Sequence, residues 1–182
     1  MQQNDFEQLK DFILQKNPYF NFGFANAVSE RGTVYTQCNS GRKALLPADD
    51  LSNYFYLRQD ALIKHEAQYP SRTTDNHTQR LNFLDIAIVY LVVVVKDADP
   101  LALGDNLRNT AMMFELMNVQ PLSSAFNREK IIAEELSGTK ANDLSAVLQR
   151  VKNETIIKLT LQVSKTFIPS ECIVNPCKNL PL

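Results

Sequence analysis

The sequence predicts an α+β fold: a twisted, mostly antiparallel sheet with a long hairpin, helices packed on one face and an extended C-terminal arm. Residues 81–95 are rich in β-branched side chains, and residues 155–167 alternate apolar with polar, as strands do. Between them, Asp99-Pro100 is a strong helix start. The 182 residues suit a single domain over 1–168 with the arm at 169–182.

Segment 1–17 predicts an amphipathic helix with Phe6, Leu9 and Ile13 on one face, ended by Pro18. The next part of the chain predicts a small antiparallel meander. Residues 20–28 and 33–38 have strand patterns separated by a glycine-containing turn, and 43–46 could add a short third strand.

A long hairpin is the central expectation. Residues 53–69 fit either a strand or a helix, and we prefer a strand because 81–96 is an equally long partner. The polar stretch 69–80 between them is then the exposed tip. The apolar run 86–95 does not alternate, so both of its faces should be covered. One cover is the following helix; the other is either a second subunit or the rest of the same chain.

The second half of the chain predicts a helix from Asp99 to about Met117 and a connector over 118–124. Residues 127–136 fit either a helix or a strand, and 141–151 have helical spacing. In the closing strand, 155–167, Ile157 and its alternate neighbours form a buried face, while Lys158 and its alternate neighbours form a wet or partner-facing one.

Composition argues against several classes of function. The chain has 19 basic and 20 acidic residues, so no bulk charge attracts nucleic acid or anionic lipid. Five glycines, with no Gly-x-Gly-x-x-Gly or Walker pattern, argue against a nucleotide-binding enzyme. The longest apolar run has ten residues, against roughly 20 for a membrane helix. The N-terminus lacks the pattern of a secretory signal. We expect no cofactor and no membrane association.

Candidates for catalysis and metal binding are few. His65 and His77 could serve as bases, but no nucleophile motif accompanies them, and solvated imidazoles are the simpler interpretation. Cys172 and Cys177 supply half of a zinc site without a second pair. Together with Cys38 they make an odd count, which indicates reduced thiols. The carboxylates of residues 134–135 are expected on a solvated face. We therefore expect no enzyme and no metal.

The order of these elements resembles that of small α/β proteins from the necks of tailed bacteriophages, of the tail-terminator and head-to-tail connector (tail-completion) type. The matching stretches are 81–90 running into 97–101, and 158–163. Stretches 54–60 and 172–177 are also similar to structural proteins of phages that infect Bacteroidetes-type hosts.

The resemblance implies a virion protein, assembled in the host cytoplasm, that forms a homo-oligomeric ring of six or twelve copies. Its partners would be other neck, portal or tail-tube proteins, with DNA passing nearby without specific binding. The N-terminal helix and the C-terminal arm would dock on adjacent rings. The expected subunit interface comprises Tyr69, Arg72, Asp75, Arg80, Tyr90, Val92 and Val94. The alternative is a cytoplasmic module that binds a small molecule or peptide through the aromatic stretch 54–56.

Overall fold

The computed structural model describes residues 3–25, 27–30, 33–37, 43–45, 53–68, 82–137 and 141–167. The predicted α+β class is confirmed. In chain order the elements are α1 (Gln3–Lys16), β1 (Phe22–Phe24), β2 (Ala27–Glu30), β3 (Thr33–Gln37), β4 (Lys43–Leu45), β5 (Tyr54–Gln68), β6 (Asn82–Lys96), α2 (Pro100–Met112), β7 (Asn118–Ala125), α3 (Arg128–Glu135), α4 (Ala141–Arg150) and β8 (Glu154–Phe167).

The main sheet has the strand order β1-β5-β6-β8-β7. Only β1 runs parallel to its neighbour, β5; the other pairs are antiparallel. β5 and β6 pair from Tyr54↔Val94 to Gln68↔Asn82, which confirms the strand assignment of both segments. β8 pairs with β6 along its length, from Lys96↔Glu154 to Phe83↔Phe167. Together β5, β6 and β8 form a long three-stranded ribbon.

Two residues with positive φ close the base of this ribbon. Asn53, with φ 57°, precedes β5, and Asp97, with φ 53°, follows β6. Asn and Asp enter the left-handed region more easily than most residues. The side-chain oxygen of Asn53 also accepts a hydrogen bond from the backbone N–H of Lys96, at 2.9 Å. The two strand ends are therefore held together where the chain enters and leaves the hairpin.

The meander is present as a separate sheet, β2-β3-β4, with antiparallel pairing. The prediction of one strand over 20–28 was wrong, because this stretch contributes to both sheets. β1 joins β5 in the main sheet, whereas β2 pairs with β3.

Helices cover both faces of the main sheet, and not one face as predicted. Because side chains alternate along a strand, successive residues of β5 enter different cores. The first core lies under α1 and α2, and the second lies under α3 and α4. Buried side chains of the first core include Leu9, Ile13, Phe55, Leu91, Val93, Leu107, Leu159 and Leu161. Those of the second core include Tyr54, Tyr56, Val92, Val94, Ile131, Ile132, Leu136, Val147 and Ile156.

The N-terminal helix belongs to the body of its own molecule. Phe6, Leu9 and Ile13 are 4%, 0% and 0% exposed in the first core. The predicted apolar face is confirmed. This apolar face is therefore not available for docking on an adjacent ring, and the expectation that the helix docks there stays a prediction.

The stretch predicted as a connector, 118–124, is an edge strand, β7. It carries Pro121 and has a register irregularity between Pro121 and Ser123 in its pairing with β8. Proline is tolerated on an edge because its missing N–H points away from the ladder. The next segment, which fitted helix or strand, is α3. Its first turn is capped by Asn127, whose side-chain oxygen accepts from the backbone N–H of Lys130 at 2.9 Å.

The predicted start of α2 is confirmed. One carboxylate oxygen of Asp99 accepts hydrogen bonds from the backbone N–H groups of Leu101, at 2.8 Å, and Ala102, at 3.2 Å. We expect Asp99→Ala to lower the free energy of unfolding by about 1 kcal/mol through loss of this cap. Asp105→Ala, which removes an exposed acid from the same helix, should change it by less than about 0.5 kcal/mol. Urea denaturation of the two variants checks this, and equal losses would contradict it.

Candidate functional site

A cluster of charged side chains lies on the second face of the main sheet. Three strands contribute one residue each: Arg58 from β5, Tyr90 from β6 and Lys158 from β8. Arg58 and Tyr90 are paired across β5 and β6. Lys158 is paired with Val92, which lies two residues after Tyr90 on β6. The C-terminal end of α3 adds Glu134 and Glu135. We call these five residues the charged cluster.

Glu135 is the centre of the charged cluster, with a side chain only 2% exposed. Its carboxylate accepts from Arg58 through Nη2 at 2.9 Å and Nε at 3.1 Å. The hydroxyl of Tyr56 donates to it at 3.1 Å, and the ammonium of Lys158 lies 2.8 Å away. Lys158 also reaches Glu134 at 3.1 Å. Since buried charges are costly unless paired and hydrogen-bonded, this arrangement explains how these groups can lie inside.

The ring of Tyr90 contacts both cations. The guanidinium of Arg58 lies 4.6 Å from its centroid and the ammonium of Lys158 lies 4.5 Å from it. These are cation–π distances. The ring therefore helps to hold two like charges near Glu135. Tyr90 was an expected interface residue, and the structure places it half-buried between these two cations.

Two ionisation states follow from these surroundings. Burial alone would raise the pKa of Glu135, but hydrogen bonds from Arg58 and Lys158 outweigh it, and the pKa lies below its ordinary value. Burial, followed by the negative charge of Glu135, raises the pKa of Tyr56 well above its ordinary value. Glu135 stays ionised and Tyr56 stays protonated, so neither is poised to exchange protons near neutral pH.

The depressed pKa makes the stability of the protein depend on pH. In the unfolded chain Glu135 has the ordinary pKa of 4.5. Its contribution is therefore complete above that pH and is lost as the pH falls through the lower folded pKa. We expect the difference in unfolding free energy between the natural chain and Glu135→Gln to be large at pH 7 and to shrink towards pH 3. Urea titrations at several pH values measure it; a difference that grows on acidification would contradict the assignment.

The charged cluster is suited to holding α3 against the sheet. The space beneath Glu135 is about 10 Å³ and is lined by side chains of the second core. That is the smallest space able to hold one water molecule. Arg128 adds a second attachment at the other end of α3 by donating to the backbone carbonyls of Val151 and Lys152.

A more open cleft of about 290 Å³ lies beside the start of α2. Its lining includes Tyr19, Asp97, Asp99 and Asn106. The carboxylate of Asp99 is already engaged in capping α2. Within the part of the chain that the structure describes, no group of three or more metal-ligating side chains comes together. Among the described residues, the cleft therefore presents polar edges without a group of three metal-ligating side chains.

Most of the predicted interface falls outside the described residues: Tyr69, Arg72, Asp75 and Arg80 belong to the hairpin tip, which the structure does not describe. Val92 and Val94 are each 1% exposed in the second core. Their expected contact with a second subunit was wrong, because α3 and α4 of the same chain cover them. Around Val92 and Val94, the two-sided cover predicted for β6 is thus provided within one molecule.

The remaining residues singled out from the sequence are either buried or outside the described ranges. The aromatic stretch proposed to bind a small molecule or peptide, Tyr54 to Tyr56, is at most 2% exposed and belongs to the cores, which removes the basis of that alternative. His77 and all three cysteines lie outside the described residues, as does the arm at 169–182. His65 lies within β5, and its side chain is outside the description.

Sequence reasoning missed the charged cluster. Glu135 was expected on a solvated face and Lys158 on a wet or partner-facing one, yet Glu135 is 3% and Lys158 9% exposed. A signal existed: Lys158 is a single charge within the apolar stretch 156–161. Its partners are more than 20 residues away along the chain, and spacing does not reveal them.

Among the large apolar side chains that are exposed in the described chain, three lie close together in sequence. Met112, Met113 and Leu116, at the end of α2 and the turn after it, are 59%, 63% and 57% exposed. We call these three residues the apolar tip. β7 follows directly and exposes Leu122, at 49%. Methionine usually fills gaps in a core, so the exposure of Met112 and Met113 is the opposite of what their residue type favours.

None of the helices in the described ranges has the length and apolar character needed to cross a membrane. Comparison of the chain with known protein families gives no match, and comparison with curated proteins gives none either.

Proposed function

We propose that the chain is a structural subunit of a tailed-phage neck or tail, forming a homo-oligomeric ring that terminates the tail or joins it to the portal or connector. The element order behind the resemblance supports this: α1, the long β5–β6 hairpin, α2 and the closing strand β8 occur in that sequence. The observation that carries the proposal is the apolar tip beside an edge strand.

The apolar tip is better explained as a contact surface for another subunit than as part of a hydrophobic core. Its three side chains are more than half exposed, although the domain has two well-packed apolar cores that could have buried them. Exposed apolar patches on otherwise well-packed domains mark contacts with other proteins. In a ring, the tip of each copy would be covered by the next copy, and a stable contact would bury more than about 1,000 Å².

The edge formed by β7 indicates how the copies would meet. Pro121 has no N–H to offer a new strand, and the irregularity at Leu122 interrupts the edge. Continuous strand addition is therefore disfavoured at this side of the sheet. The ring contact would be made by side chains of the apolar tip, with the long hairpin reaching a neighbour elsewhere.

The site chemistry also supports a non-enzymatic role. The charged cluster attaches α3 to the sheet. Glu135 is held ionised and inaccessible, and the open cleft beside α2 uses one of its two carboxylates as a helix cap.

Mass photometry and electron microscopy of the purified chain test the proposal. We expect rings of six or twelve copies. Met113→Glu with Leu116→Glu should convert them to monomers, because each copy would place two charges in the contact. Leu101→Glu is the matched control: Leu101 is 62% exposed at the other end of α2, so rings should persist. A natural chain that stays monomeric at high concentration and never associates with tail or portal components would contradict the proposal.

A further inference from the structure

A ring of identical subunits needs two different contact surfaces on each copy. A contact that repeats around the ring axis joins one patch of a subunit to an unlike patch of the next subunit. The apolar tip supplies one of these patches. The other patch has to lie elsewhere on the same molecule and has to accept exposed apolar side chains.

The open cleft beside the start of α2 has the size and lining for this second patch. Every residue that lines it belongs to the described ranges, and its volume is about 290 Å³. That is close to the lower end of ligand pockets, at roughly 300 Å³. Ala98, Ala102 and Leu103 contribute apolar lining, and Tyr19 adds an aromatic ring that is 56% exposed. The cleft therefore offers apolar contacts to one or two inserted side chains.

Methionine is well suited to fill such a cleft. Its unbranched side chain adapts to irregular spaces, and its sulfur makes favourable contacts with aromatic rings. Met112 and Met113 are 59% and 63% exposed in the apolar tip. The tip thus has flexible side chains of the kind that pack against the ring of Tyr19 and the two alanines.

The cleft and the apolar tip lie at opposite ends of α2. Ala102 and Leu103 are in its first turn, and Met113 is its C-cap. Ten helical residues span about 15 Å, at 1.5 Å per residue. Because this distance is fixed by the helix, a tip cannot reach the cleft of its own molecule. Its occupant has to come from another copy.

The charges beside the two surfaces are of opposite sign. Arg108 lies one turn before the first residue of the apolar tip, and Asp97 lines the cleft and is exposed. Arg108 also contacts Asp105 at 3.6 Å, but the two side chains are 47% and 75% exposed, and exposed ion pairs are weak enough to be shared with another acid. The tip has an exposed acid as well, Glu115, and Lys96 is exposed next to Asp97.

We propose, on the basis of the ring-forming function above, that the apolar tip of one copy inserts into the cleft beside α2 of the next copy. The subunits then associate head to tail. Each copy gives one tip and receives another, and the series of contacts ends when the first tip fills the last cleft. A closed ring has no empty cleft and no exposed tip.

Disulfide trapping tests the head-to-tail contact in the full chain with Cys38, Cys172 and Cys177 changed to serine. Met113→Cys with Ala102→Cys places one thiol at the tip and one in the cleft of every copy. We expect mild oxidation to give a ladder of covalent oligomers that ends at the size of the ring. Each single variant should give no covalent oligomer, because its thiol has no partner.

The outcomes separate this contact from ring formation itself. Rings that give no ladder in the double variant would overturn the head-to-tail contact and leave the ring-forming function intact. Covalent dimers from Met113→Cys alone would show that two tips meet each other, which overturns it as well. A natural chain that stays monomeric would contradict both proposals.

A mixing experiment keeps the natural cysteines. Ala102→Trp fills the cleft from an exposed position, and Met113→Glu with Leu116→Glu places charges in the tip. Each variant alone should lose its rings. Mixed, the two should form a one-to-one dimer, because the first has an intact tip and the second has an intact cleft.

Leu101→Trp is the matched control, since Leu101 is exposed one residue earlier and does not line the cleft. It should keep its rings. Mass photometry measures all four samples. Rings in Ala102→Trp, or a mixture that contains monomers alone, would overturn the proposal.

Discussion

Glu135→Ala should lower the free energy of unfolding by about 3–5 kcal/mol, the usual cost of removing one partner from a buried ion pair. The substitution leaves Arg58 and Lys158, whose side chains are 16% and 10% exposed, without their shared carboxylate. It also removes the acceptor of the Tyr56 hydroxyl. Urea denaturation at pH 7 measures the loss.

Glu134→Ala is the matched control for this experiment. Glu134 precedes Glu135 in α3 and contacts the same lysine at 3.1 Å, but its side chain is 47% exposed. Exposed ion pairs contribute about 0–1 kcal/mol. A comparable loss in both variants would show that the effect comes from α3 in general and not from the buried carboxylate.

Leu9→Ala should lower the free energy of unfolding by about 2–5 kcal/mol, the range for a buried leucine whose removal leaves a cavity. Leu9 is fully buried in the first core, and the helix that carries it is attached to the sheet mainly through this face. Urea denaturation at a concentration where the chain is monomeric measures the change.

Gln8→Ala is the control for Leu9, since Gln8 is exposed on the same helix and should change stability by less than about 0.5 kcal/mol. The comparison separates two functions for α1. If the contact of α1 with the sheet contributed little, Leu9→Ala would leave the isolated subunit as stable as before. A loss confined to Leu9→Ala is what a helix within its own core requires.

The secondary structure of most of the chain could be predicted because local patterns determine it. The cap at Asp99, the valine-rich strand β6 and the alternation in β8 each contain their own signal within a few residues. One exception in the second half of the chain is β7, predicted as a connector. Pro121 weakens its strand pattern, and its place on the edge depends on pairing with β8, which lies more than 30 residues away.

The charged cluster could not be predicted for a related reason. Arg58, Glu135 and Lys158 come from three separate elements, and their spacing along the chain does not show that they meet. Only the packing of α3 on the sheet brings them within hydrogen-bonding distance. The apolar tip is the opposite case. Its methionines are of a residue type common in cores, yet the packing of the helices leaves them exposed at the surface.

By itself, the sequence determined the fold class, the long hairpin and the start of α2, because hydrophobic period and capping chemistry act over short distances. The tertiary structure decided what covers each face of the sheet. A strand buried on both faces needs a layer packed on each face. Its run of apolar residues is the same whether those layers come from its own chain or from a neighbouring subunit. The packing of α3 and α4 places Val92 and Val94 in the interior, whereas the apolar tip at the end of α2 stays exposed.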